Sequence, residues 1–132
     1  MSKILAVPFV YKTIQQALDA SKEGDTILLH AGDYHESLHI YKSISLESRG
    51  EVTIISSDEP CISIHHANVQ VMDVTLQGKH TATSLYVCGG FVQIQDCQLH
   101  AETSQIAFIE GDSSSGIFTR CRITSSLCVG IM

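Results

Sequence analysis

Seven histidines, five cysteines and fourteen Asp and Glu residues are the groups in this 132-residue chain with the capacity for chemistry. Histidine can act as a general base or a metal ligand, cysteine and serine as nucleophiles, and paired carboxylates as acid and base or as calcium ligands. Each role needs a spacing, and the spacings are missing. His65-His66 and the pair His30/His35 have no nucleophile beside them, and no HExxH, GxSxG, GxGxxG or P-loop pattern occurs. Cys61, Cys88, Cys97, Cys121 and Cys128 are odd in number with no CxxC pair, which favours buried thiols over a zinc site or a complete disulfide framework. Gly111-Asp112-Ser113-Ser114-Ser115-Gly116 carries many hydroxyls but reads as a solvated turn. Between His30 and Glu36, Gly32 reads as a turn former with Tyr34 folded over an edge.

Binding chemistry depends on where the elements place these side chains. Thr13 followed by Gln16 makes a capping box, Ile14, Ala17, Leu18 and Ser21 recur at helical spacing, and Gly24 can end the turn, so a helix is predicted over 13–23. Beyond Gly24 come short Val/Ile/Leu strands broken by Gly, Ser, Asn and Asp. Their spacing is periodic. Ile64, Val87, Ile109 and Ile131 lie 23, 22 and 22 residues apart, and Ile62, Leu85, Ala107 and Val129 keep the same intervals. Val71, Ile94 and Phe118 form a second series, and Val74, Cys97 and Cys121, each followed by Leu76, Leu99 and Ile123, form a third. Three apolar series in step predict an all-β fold of one domain over 1–132: a single-stranded parallel β-helix of four to five coils of about 23 residues, starting near residue 25 and capped by the helix. A β-sandwich gives no reason for a shared long period, and the hairpin dipeptides Asn-Gly and Asp-Gly are absent. In the lower coils the pattern sets Leu38-His39-Ile40 beneath Ile62-Ser63-Ile64, Ile44-Ser45-Leu46 beneath Val69-Gln70-Val71, and Ile27-Leu28-Leu29 below Val52-Thr53-Ile54-Ile55.

Alternation along the strands then points one column outward through His39, Ser63, Tyr86, Phe108 and Gly130, and a second through Tyr41, His65, Cys88, Glu110 and Met132. His39, Tyr41, His65, Tyr86, Phe108 and Glu110 are the candidate binding residues, because aromatics on a rigid sheet suit a protein hot spot or a sugar ring. Simple shielding of the sheet is the alternative. The other outward columns are polar: Gln70 under Gln93, Asp73 under Asp96 under Arg120, and Thr75 under Gln98 under Arg122. Arg120 on the rung above argues against calcium at the aspartates, which leaves turn capping, and Cys97 beneath Cys121 reads as two stacked thiols. At the far end, Phe118, Ile123, Leu127, Val129, Ile131 and Met132 form an expected oligomer interface, a twofold end-to-end homodimer, unless a longer domain continues there.

A formal charge of -6 without a basic cluster argues against nucleic acid, and no apolar run approaches the roughly 20 residues of a membrane span. The first eight residues are too briefly apolar for a secretory signal, so an intracellular, cytoplasmic and reducing setting is expected. No metal and no cofactor are predicted.

Tyr11-Lys12-Thr13-Ile14-Gln15-Gln16-Ala17-Leu18-Asp19-Ala20, then Gly24-Asp25-Thr26-Ile27 and Ala31-Gly32-Asp33-Tyr34-His35-Glu36, resembles the first coil of right-handed parallel β-helix proteins. That superfamily takes in the pectate-lyase-like and pectin-methylesterase-like folds, carbohydrate-binding and sugar-hydrolase repeats, periplasmic copper-site maturation proteins, and the β-helix domains of F-box substrate adaptors and SHC SH2-domain-binding proteins. With Val69 to Leu76, Val92 to Leu99 and Phe118 to Ile123 the likeness covers nearly the whole chain, and it implies the right-handed sense of the coil. The stretch Cys97-Gln98-Leu99, Ala107-Phe108-Ile109-Glu110-Gly111 and Phe118-Thr119-Arg120-Cys121-Arg122-Ile123 is similar to the pectin methylesterase framework, but Ala107 stands where that family has its catalytic aspartate. The acidic calcium cluster of pectate lyases has no counterpart. The resemblance is nearest in character to the adaptor domains, and it implies a non-catalytic protein-interaction or scaffolding module, with carbohydrate binding as the alternative.

Overall fold

The computed structural model describes residues 3–57, 59–80, 82–102, 107–110 and 114–125. Parallel strands wind into a β-solenoid of about 5 turns with about 23 residues per turn, and one short helix accompanies them. In coil order the elements are β1 (Ile4–Val7), α1 (Ile14–Ala20), β2 (Thr26–His35), β3 (Leu38–Ile40), β4 (Ser45–Ser56), β5 (Ile62–Met72), β6 (Thr75–Gly78), β7 (Leu85–Gln95), β8 (Gln98–Ala101), β9 (Ala107–Glu110), β10 (Ser115–Thr119) and β11 (Arg122–Ser125).

The corners follow from local backbone chemistry. β5 bends at His66 and β7 at Gly89-Gly90, all with positive φ, while Asp73, Asp96 and Arg120 (φ 60°, 55° and 51°) turn the chain from β5 into β6, from β7 into β8 and from β10 into β11. Asp tolerates this left-handed conformation because its short polar side chain can bond locally. At Gly90 only glycine fits, since a Cβ there would collide with the Ala67 carbonyl oxygen of the coil below.

The apolar series stack as the period requires. Ile64 pairs with Val87 and Val87 with Ile109, Val71 with Ile94 and Ile94 with Phe118, and Leu76 with Leu99 and Leu99 with Ile123. Ile62, Ile64, Leu76, Leu85, Val87, Ile94 and Leu99 are fully buried. Ile131 and Val129 lie outside the described residues. Ile109 departs from the expectation of a buried bore position: it keeps its register but is 37% exposed. Among the described residues β9 has a strand partner on one side only, so its rung is half-covered.

The lowest coil also differs from the pattern. Ile27-Leu28-Leu29 lies beneath Leu46-Glu47-Ser48, and it is Gly32 to His35 that sits beneath Val52 to Ile55. The reason is unequal coil lengths. Thr26 to Ser45 is a step of 19 residues and Ser45 to Gln70 a step of 25, because residues 47–51 bulge outward, so an interval near 23 cannot be read there. β1, paired in register with β2 from Ile4↔Thr26 to Val7↔Leu29, adds a rung that the sequence pattern did not suggest.

The helix closes this lower end. Its capping box forms as expected between Thr13 and Gln16, and Ile14, Ala17 and Leu18 face the core. It stops at Ala20, earlier than predicted. Ser21 is extended and its hydroxyl donates to the Leu18 carbonyl (2.6 Å), while the Lys42 ammonium donates to the carbonyls of Leu18, Asp19 and Ser21. Gly24 (φ 89°) shapes the next turn. At the other terminus the Glu36 carboxylate accepts the amides of Ile14 (2.9 Å) and Gln15 (3.1 Å). The Gln15 side chain extends the sheet: its amide donates to the His39 carbonyl and its oxygen accepts the His39 N–H (2.9 Å), so it substitutes for a missing strand below β3.

Candidate functional site

β3 and β5 pair through Leu38↔Ile62, His39↔Ser63 and Ile40↔Ile64, so Tyr41, one residue on, falls beneath His65. β5 and β7 continue upward with Ser63↔Tyr86 and His65↔Cys88, and β9 adds Tyr86↔Phe108 and Cys88↔Glu110. Rungs lie about 4.8 Å apart, so consecutive outward rings must stack. They do. Tyr41 and His65 are stacked with centroids 4.7 Å apart and an interplanar angle of 14°, His39 lies parallel to His65 at 5.9 Å, and Tyr86 tilts over His65 at 6.3 Å. The structure thus brings together His39, Tyr41, His65 and Tyr86. Phe108 and Glu110 occupy the expected strand positions, and their side chains lie outside the described part of the molecule.

Burial across this ring face is uneven. Tyr41 is 64% exposed, His39, His65 and Tyr86 are half-buried, and Ser63 is buried although it points outward. Alternation sets direction, whereas exposure depends on neighbours, and Ser63 lies between the larger His39 and Tyr86. Glu59, which the sequence did not single out, engages His39 Nε2 through Oε1 at 3.2 Å. No spacing rule links it to His39, because it reaches across a turn between coils. His65 Nε2 is sealed from solvent without a hydrogen-bond partner. Burial, followed by the nearby His39 and His66, holds the His65 pKa below its ordinary value.

The remaining outward columns are polar and mutually satisfied. Arg120 donates from Nε (2.6 Å) and Nη2 (3.0 Å) to the two carboxylate oxygens of Asp96, and the Gln70 side chain donates to that of Gln93 at 3.0 Å. Thr53, Thr75 and Gln98 stack in register beside a groove of about 560 Å³ whose walls include Glu51, Asp73 and Asp96. The Arg120 guanidinium holds the Asp96 carboxyl below the usual carboxylate range, the reverse of what a general acid needs. Among the described residues no three His, Cys, Asp or Glu side chains converge as metal ligands.

Cys61, Cys88, Cys97 and Cys121 are free thiols. Burial pushes the Cys61 thiol up to about 12 and the Cys97 thiol up to about 11. A nucleophilic cysteine needs the opposite shift.

Phe118 and Ile123, two of the expected interface residues, are half-buried and packed on the core, while Leu127, Val129, Ile131 and Met132 lie outside the described residues.

No family model matches the chain. A cell surface glycoprotein of the archaeon Methanothermus fervidus is 29% identical to it over 106 residues, which cover 76% of this chain and 17% of that protein's length. The chain therefore corresponds to a short stretch of this much longer relative, and the likeness fits a β-helix.

Proposed function

We propose that the protein is a non-catalytic interaction module that engages a protein partner through the ring face of β3, β5 and β7. One observation carries this reading: Tyr41 is held flat on His65 at 4.7 Å and yet 64% exposed, a large aromatic fixed before binding with little conformational freedom left to lose. The resemblance to the β-helix domains of ubiquitin-ligase adaptors supports a scaffolding role, and the free thiols support a reducing, intracellular setting. Partners captured by the wild-type chain should be lost with the double variant Tyr41→Ala/Tyr86→Ala. Turnover of polygalacturonate or its methyl ester at about 1 per second or faster, the lower range of ordinary enzymes, would overturn the non-catalytic reading. A flat exposed tyrosine also suits a sugar ring, and saturable binding to an oligosaccharide panel that the same double variant abolishes would decide for carbohydrate.

For assembly, the same proposal extends to a twofold dimer through the upper coil. Among the described residues β9, β10 and β11 each pair on one side only, and Ile117 is 49% exposed there. Light scattering at about 10 µM, where a contact near -7 kcal/mol is populated, should give a dimer that Ile117→Asp dissociates. A monomer in the unaltered chain would reject it.

A further inference from the structure

An imidazole with a sealed, unpartnered nitrogen has one stable charge state. A neutral ring tolerates the lost hydrogen bond at modest cost, whereas an imidazolium would bury a charged N–H donor with no acceptor. His65 is in this position, and its ring also supports Tyr41, the most exposed part of the proposed binding surface.

The groups around it do not relieve the charge. From its own strand comes His66, and from the coil below come His39, stacked parallel at 5.9 Å, and Tyr41. From the coil above come Tyr86 and, in register, Cys88. Glu59 is the carboxylate tied to this array, and it is engaged by His39. The Lys42 ammonium, next to Tyr41 in sequence, is bound to the carbonyls ending α1. Glu110 pairs in register with Cys88 through the backbone, and its side chain lies outside the described part. The described neighbours of His65 are therefore two other imidazoles and two phenols, with no carboxylate directly opposite.

We propose that the ring face is operated by protons: neutral His65 holds Tyr41 in place and keeps the surface assembled, and protonation of His65 drives its ring outward and dismantles the surface. This rests on the reading of that face as the binding surface and adds its regulation. The sign follows from the linkage. The folded-state pKa lies below the ordinary 6.5, so the contribution of the neutral ring is fully present above that value and is lost as pH falls through it toward the lowered folded value. The result is a mildly acidic window in which the coils persist and the surface does not.

The test uses the whole chain without any partner, so its outcome is independent of whether the binding reading holds. Imidazole and tyrosine ring resonances are followed by NMR from about pH 8 to about pH 5, across the range where histidine titrates. His65 should titrate below its own value in the urea-unfolded chain, and the Tyr41 ring signals should move with the same midpoint. His39→Gln, which keeps a hydrogen-bonding side chain toward Glu59 but removes a positive neighbour, should raise the His65 midpoint. His65→Phe, which can still stack on Tyr41, should flatten the Tyr41 response. A His65 midpoint at or above the unfolded value, Tyr41 signals that stay constant, or a Tyr41 response that persists in His65→Phe would each overturn the proposal.

Discussion

The ring face and the polar ladder face are built on the same coils at the same spacing, yet they dispose of their outward side chains in opposite ways. On the ladder face each group answers another: Arg120 takes both oxygens of Asp96, the Gln93 amide receives that of Gln70, and His100 Nδ1 meets Thr124 Oγ1 at 2.7 Å. On the ring face the contacts are ring against ring, one buried nitrogen stays unpartnered, and the largest aromatic surface remains in water. A periodic backbone fixes only where side chains point. Which column becomes sealed and which stays available to a partner depends on whether the residues one rung apart are complementary to each other.

The largest effects should come from the bore beneath both faces, where the two ought to be equal. Ile64→Ala under the rings and Leu76→Ala under the ladder should each cost about 2–5 kcal/mol in urea unfolding. Ile109→Ala, on a half-covered rung, should cost less than about 2 kcal/mol by the same measure of lost apolar burial. A full-sized loss there would mean that the upper rung is closed.

Next in size is Tyr41→Ala. Losing one stacked pair should remove about 0.5–1.5 kcal/mol, while partner capture should disappear altogether. Variants of the ladder face should show the converse, with neither property moved.

Thiol chemistry sharpens the contrast along the axis. In native alkylation at mildly alkaline pH, half-buried Cys121 should react before Cys97, which is buried and whose pKa is pushed up to about 11. Mass spectrometry of partly labelled protein gives the order. Simultaneous labelling would indicate global opening instead of an accessible upper coil.

The smallest effect belongs to Arg120→Ala. The Asp96 pair is exposed, so the melting temperature at neutral pH should stay within error. Because Arg120 lowers the Asp96 pKa, whatever the pair contributes is present above the ordinary 3.8 and is lost as pH falls through the lowered folded value. Any difference between the two proteins should therefore vanish in strong acid.

The upper coils were legible in the sequence because their steps are nearly equal: 23 residues from Ile62 to Leu85 and 24 from Gln98 to Arg122. The lowest coil was not, since steps of 19 and 25 conceal the period even though the strands pair as regularly. β1 was missed because four residues with no repeat partner of matching spacing carry no periodic signal. In the candidate site, alternation gave the columns of His39, Tyr41, His65 and Tyr86 but misjudged Ser63, whose burial depends on the size of its neighbours. Glu59 and the bridging role of Gln15 were invisible because both act across coils from turn or helix positions.

The claim that the ring face is the binding surface is tested most directly by quantitative mass spectrometry of partners captured from native lysate by three matched chains. These are the wild type, the ring variant Tyr41→Ala/Tyr86→Ala, and the ladder variant Gln93→Ala/Arg120→Ala, each first shown to unfold cooperatively. The account predicts that the wild-type and ladder chains retain the same partners and the ring variant retains none. Equal capture by the ring variant, or loss from the ladder variant alone, would contradict it.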